Sequence, residues 1–235
     1  MKRRALLIGN ANGLSGVQKD LLDFKNFLLS NKGGAWYDSE IVMISKSDIN
    51  TVRSEIQKIK SSSPDYVITF FSGHGAYKRG TILELADEEI INESELFHLA
   101  DRQLSIFDCC RNKVETIARC SAVMESYDFS KSSKTYVRAI YDQRILQAVI
   151  QQIRLYSCSI NESSYDTNQG GVYFQNLLNV AKSFESDIKE NRVSLCHQKA
   201  KRLTENANVT EGKQHPEAIL PKCLSSQELI LSINY

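Results

Sequence analysis

The sequence predicts a three-layer α/β/α sandwich built on about six mostly parallel strands. Short apolar runs alternate along the chain with segments at helical spacing, the pattern of a parallel sheet covered on both faces. One run, Tyr66-Val67-Ile68-Thr69-Phe70-Phe71, is apolar nearly throughout, as a strand buried on both faces must be. No internal repeat, linker or low-complexity tract breaks the pattern, so residues 1–235 read as one domain.

The elements follow in order. Ala5 to Asn10 is a first strand. Leu14, Val17, Leu21, Phe24 and Leu28 then fall on one helical face, and Gly33-Gly34 ends that helix. Glu40 to Ser45 is a second strand. Ser47 is positioned to cap a helix whose inner face is Ile49, Val52, Ile56 and Ile59. Asp65 to Ser72 is the buried strand, Glu93 to Ala100 a short helix, and Leu104 to Asp108 a fourth strand. The stretch 112–138 is polar and weakly periodic, which predicts an exposed loop. Helical spacing returns near Ile140 to Ile150, and Leu155 to Ile160 is a fifth strand. Gly170-Gly171 precedes a helix with Val172, Leu177, Leu178 and Phe184. Val193 to Ala207 is another helix. The tail, with Pro216 and Pro221, forms an edge strand or a loop.

Bulk properties exclude several functions. Net charge is +1, from 29 basic and 28 acidic residues. A nucleic-acid binder would show a basic excess, so none is expected as partner. The basic start, Met1 to Arg4, is followed by only four apolar residues before Gly9, too few for a signal peptide core. No run approaches the ~18 apolar residues of a membrane span. A soluble, cytoplasmic chain without a membrane partner is expected. The six cysteines, at 109, 110, 120, 158, 196 and 223, show neither C-x-x-C nor zinc-ligand spacing. They are expected to be reduced thiols, most of them small buried side chains.

Ligands of open parallel sheets bind beyond the carboxyl ends of the strands. Two such ends are unusual here: Phe70-Phe71-Ser72-Gly73-His74-Gly75 and Ile106-Phe107-Asp108-Cys109-Cys110-Arg111. An imidazole follows one strand and a thiol the other, a nucleophile and its acid–base partner. The glycines flanking His74 let backbone approach a substrate, and the Gly75 and Cys110 amides could face an oxyanion. Gly-His-Gly alone also suits an ordinary turn.

Phe-Phe-Ser-Gly-His-Gly after one strand and Phe-Asp-x-Cys-Arg-Asn after the next resemble the caspase, metacaspase and paracaspase superfamily, peptidase family C14. The bacterial caspase-like proteases are the nearest in character. The 36-residue spacing from His74 to Cys110 suits that family. So do Leu6-Leu7-Ile8-Gly9-Asn10 with Leu14 to Asp20, Ser157-Cys158-Ser159 with Glu162-Ser163, and Gly170-Gly171-Val172-Tyr173-Phe174. The resemblance spans most of the chain. It implies a large-subunit-like part at 1–113, a linker or activation region at 114–150 and a small-subunit-like part at 151–235.

It further implies a cysteine endopeptidase acting on protein or peptide substrates, with Cys110 as nucleophile and His74 as its partner. Cys109 then occupies the variable position, as a small buried filler. Asp20, Ser72 and Asp108 match the metacaspase pocket for the residue before the scissile bond, which selects Arg or Lys; Asp20 otherwise reads as a solvated helix residue. Two carboxylates at the base of a pocket favour a guanidinium or ammonium on physical grounds too. Calcium-dependent relatives carry aspartates soon after the His, where this chain has Ala76-Tyr77-Lys78-Arg79-Gly80. Asp87-Glu88-Glu89 and Glu93 read as a solvated acidic face, so neither metal nor cofactor is expected. Lys113, Arg119, Lys131, Lys134 and Arg138 offer sites for self-cleavage. An activating or target protein partner, and a role in cell death or antiviral defence, follow from the bacterial relatives. The alternatives are an inactive caspase-like adaptor, a phosphate-binding module around Gly9 to Gly13, and an α/β hydrolase. The phosphate module lacks its Lys-Ser/Thr and the hydrolase its G-x-S-x-G elbow.

Overall fold

The computed structural model describes residues 1–46, 48–113, 134–207 and 212–235. Its centre is a six-stranded sheet. In chain order these strands are β1 (Arg3–Asn10), β2 (Ile41–Ile44), β3 (Tyr66–Gly73), β7 (Arg102–Asp108), β8 (Gln151–Tyr156) and β12 (Glu217–Ile219). Their spatial order is β12-β8-β7-β3-β1-β2, with every neighbouring pair parallel except β12 against β8. The three-layer α/β reading holds, and the tail supplies the antiparallel edge.

Helices cover both faces. On one lie α1 (Val17–Leu29), α3 (Lys134–Gln147), α4 (Val172–Lys182) and α5 (Val193–Glu205), and β13 (Ile230–Ile233), paired with β11 (Glu190–Arg192), packs with them. Phe24, Phe70 and Phe174 meet there, with ring centroids 4.3–5.3 Å apart for the pairs through Phe70 and Phe174. On the other face α2 (Ile49–Ser62) buries Val52, Ile56 and Ile59 beside a small antiparallel sheet of β4 (Gly75–Tyr77), β5 (Thr81–Glu84) and β6 (Ile90–Asn92). A last hairpin joins β9 (Asp166–Thr167) to β10 (Gly170–Gly171).

Several expectations change. The helix expected from Glu93 is one 3₁₀ turn, Glu93–Leu96, because Phe97 is already extended and His98 has φ 54°. The α2 cap is Asp48, whose carboxylate accepts the Thr51 amide at 2.9 Å; Ser47 lies outside the described residues. Residues 134–138 of the expected loop are helical, because Val137, Tyr141 and Ile145 share a buried face. The self-cleavage candidates Arg119 and Lys131 fall outside the described residues. The acidic face is solvated only in part. Glu93 is buried and accepts the Thr81 amide at 2.7 Å, and Glu89 accepts the Ile49 amide. Strands of two to four residues, such as β4–β6, are too short to show a sequence period.

The strand order reverses at β1, with β2 on one side and β3 on the other. This is the switch point at which open α/β sheets carry their ligands, and the sequence-nominated residues gather along this rim.

Candidate active site at the strand tips

Ser72 of β3 pairs in register with Asp108 of β7. His74 and Cys110 therefore each lie two residues past a matched position on adjacent parallel strands. Gly75 brings these tips into contact. A Cβ placed on it would lie 2.8 Å from Cys109 Sγ and 2.9 Å from the Cys110 carbonyl oxygen, so no side chain fits. Cys109 is buried as filler.

His74 is buried, and its Nε2 lies 3.1 Å from the Asn12 carbonyl oxygen just past β1. To bond a carbonyl that nitrogen must carry the proton, which leaves Nδ1 as the acceptor in the neutral ring. The Cys110 thiol donates to the Ser164 carbonyl at 3.6 Å and accepts the Ser164 amide at 3.4 Å. Burial raises its pKa above the ordinary thiol value. Arg111 is fixed behind it. Its guanidinium donates to Cys158 O at 3.1 Å and to Glu217 at 2.8 Å, and lies 4.1 Å over the Tyr156 ring.

Asp20, Ser72 and Asp108 come together beside these tips. Asp20 is fully buried, not solvated; Ser72 Oγ donates to its Oδ2 at 3.0 Å and Gln175 Nε2 to its Oδ1 at 2.8 Å. The Gly171 amide donates to Asp20 at 3.0 Å and the Phe174 amide to Asp108 at 3.2 Å, so both carboxylates face the amino end of α4. Burial, and for Asp20 next the charge of Asp108, holds both well above the usual carboxylate range. Glycine is required here again. A Cβ at Gly170, whose φ is 104°, would lie 2.1 Å from Asp20 Oδ1, and one at Gly171 2.2 Å from Asp108 Oδ2.

Sequence reasoning missed Asn12, Ser164, Asp166 and Gln175. Asp166, raised chiefly by burial, accepts the Gly16 amide at 2.9 Å, and its charge acts on Asp108. Ser164 stands one residue past the recognised Glu162-Ser163 pair, and none of the four carries a motif of its own. Among the described residues no group of three or more His, Cys, Asp or Glu side chains is arranged to hold a metal ion. No described helix is long and apolar enough to cross a membrane.

A doubly covered, mostly parallel sheet thus carries a thiol and an imidazole past adjacent strand ends. The family described as the caspase domain, Peptidase_C14, matches residues 2–222, and the chain belongs to that family of cysteine peptidases. Among solved structures it resembles caspase-1 from Spodoptera frugiperda at 12% identity and TM-score 0.60, covering 93% of this chain and 86% of that one. It also resembles the protein GSU0716 from Geobacter sulfurreducens at 18% identity and TM-score 0.60, covering 93% of both chains. At these identities the likeness is one of fold. No curated protein matches the chain.

Proposed function

We propose that this protein is an active cysteine endopeptidase that cleaves after Arg or Lys. The observation that carries the reading is the paired register of Ser72 with Asp108, which sets His74 and Cys110 on adjacent tips beside two buried carboxylates. His74 Nδ1 takes the Cys110 proton, and the thiolate adds to the scissile carbonyl. The Gly75 and Cys110 amides hold the oxyanion. The imidazolium returns the proton to the leaving amine, and the acyl group stays on sulfur as a thioester. His74 then draws a proton from water, whose oxygen attacks the thioester and restores the thiol.

The acidic recess supplies selectivity. Asp20 and Asp108 favour a guanidinium or ammonium and repel a carboxylate. A regulated role in bacterial cell death or defence, in the cytoplasm, belongs to the same proposal and rests on the family resemblance. One observation favours an inactive adaptor instead: the Cys110 thiol is bonded to a main-chain carbonyl.

Fluorogenic peptides ending in Arg, Lys, norleucine and Asp separate the two. Turnover of the Arg and Lys peptides is expected, blocked by iodoacetamide and reduced at least about a thousandfold in Cys110→Ala. A folded protein that cleaves none of them is an adaptor. One that prefers Asp refutes the acidic recess.

A further inference from the structure

Ser164 touches the nucleophile and the specificity carboxylate at once. Its main chain bonds the Cys110 thiol in both directions. Its hydroxyl donates to Asp108 Oδ1 at 2.6 Å and accepts from Gln214 Nε2 at 3.2 Å. The strap that bears it is fastened to the end of β7. The Arg111 amide donates to Glu162 O at 3.0 Å, the Asn161 amide to Arg111 O at 2.9 Å, and Asn112 Nδ2 to Ser163 Oγ at 2.9 Å.

The two contacts pull in opposite senses: the Ser164 amide, donating to sulfur, favours a thiolate, whereas the Ser164 carbonyl suits only a thiol. A thiol can donate to the Ser164 carbonyl, whereas a sulfur anion would face that oxygen's negative end. Nor can the thiol proton serve His74 while it is given to Ser164. The Asp108–Ser164 hydrogen bond, made to a carboxylate, holds the strap in this position.

We propose that Ser164 is a positioning residue that couples the acidic recess to the nucleophile: a substrate guanidinium that bonds Asp108 takes the place of the Ser164 hydroxyl, and the freed strap releases the Cys110 thiol to His74. A basic side chain then both binds and unlocks. This rests on the basic specificity proposed above and adds a coupling to it. The exchange is non-covalent: Asp108 gives up one O–H donor and gains N–H donors.

The test is the rate of Cys110 alkylation by iodoacetamide, read by peptide mass spectrometry, with and without Nα-acetyl-arginine amide. Wild type is expected to be slow alone and about tenfold faster with the ligand, the factor that a hydrogen bond to a charged group is worth. Ser164→Ala should be fast in both conditions, and Ser164→Thr, which keeps the hydroxyl, should behave as wild type. Asp108→Asn approaches the same bond from its other end and should also lose the ligand response. A rise in melting temperature reports ligand binding independently. Binding without faster alkylation overturns the coupling alone, as does a Ser164→Ala protein that is slow. Absence of binding to wild type overturns the basic recess, and the coupling with it.

Discussion

The two ends of β1 bury charge in opposite ways. At its start, Arg3 is fully buried among opposite charges. Its Nη1 lies 3.0 Å from Asp142 and its Nε 3.4 Å from Glu40, which Arg138 also pairs at 2.6 Å. The Trp36 ring lies 4.6 Å from the guanidinium. Past its end, Asp20 and Asp108 are as deeply buried, yet among the described residues they are held by amides, hydroxyls and Gln175, with no cation in ion-pair reach. A buried charge is costly unless paired. The balanced cluster fastens α3 to β1 and is architecture. In the proposed function the unbalanced pair is what attracts a cation arriving from outside.

Breaking the unbalanced end should give the largest effect, with opposite signs in activity and stability. Asp108→Asn is expected to lower kcat/KM for Arg peptides about a hundredfold, by removing one charge of a buried pair. The same change should stabilise the fold at neutral pH. Burial pushes the Asp108 carboxyl up from 3.8 to about 6, so its favourable contribution is complete below pH 3.8 and lost as pH rises through about 6. The variant should therefore match wild type near pH 4 and exceed it by up to about 3 kcal/mol above pH 7. Denaturation across this range checks it, and a variant less stable at every pH would show that the hydrogen bonds outweigh the charge. In wild type, KM for Arg peptides should rise as pH falls below 6.

Breaking the balanced end should act on stability alone. Arg3→Met is expected to cost about 3 kcal/mol in urea titration, because carboxylates are left under-paired. A variant as stable as wild type would remove the contrast between the two ends. Gly171→Ala sharpens the comparison sterically. Its Cβ must displace Asp108 Oδ2 or the start of α4, at about 2 kcal/mol, with a larger loss in Arg-peptide turnover than in Tm. The smallest effect is expected at the exposed Arg53–Glu95 pair, 2.9 Å apart with side chains 52% and 32% exposed. Glu95→Gln should change stability by less than about 0.5 kcal/mol. A larger change there would mean that surface pairs also fasten this fold.

Much of the site could be read from the chain because its chemistry is local. His74 and Cys110 each follow a strand that announces itself by apolar runs, and the flanking residues limit what the loops can do. Asp20 was nominated only through resemblance, since a helix carboxylate beside Lys19 otherwise reads as solvated; its complete burial depends on Gly171 and Gln175, some 150 residues away. Glu93 shows the converse. It lies in an acidic stretch that looks solvated, and is buried because the Thr81 amide needs an acceptor.

By itself the sequence determined the layered α/β fold, the two strand tips and the residue types they carry, because hydrophobic period and glycine placement act over a few neighbouring residues. Only the tertiary structure decided that Ser164 would hold both Cys110 and Asp108, that Asn12 would fix the proton on His74, and that two carboxylates would meet at the amino end of α4. Those contacts join segments far apart in the chain, and no local pattern encodes where a buried hydrogen bond finds its partner.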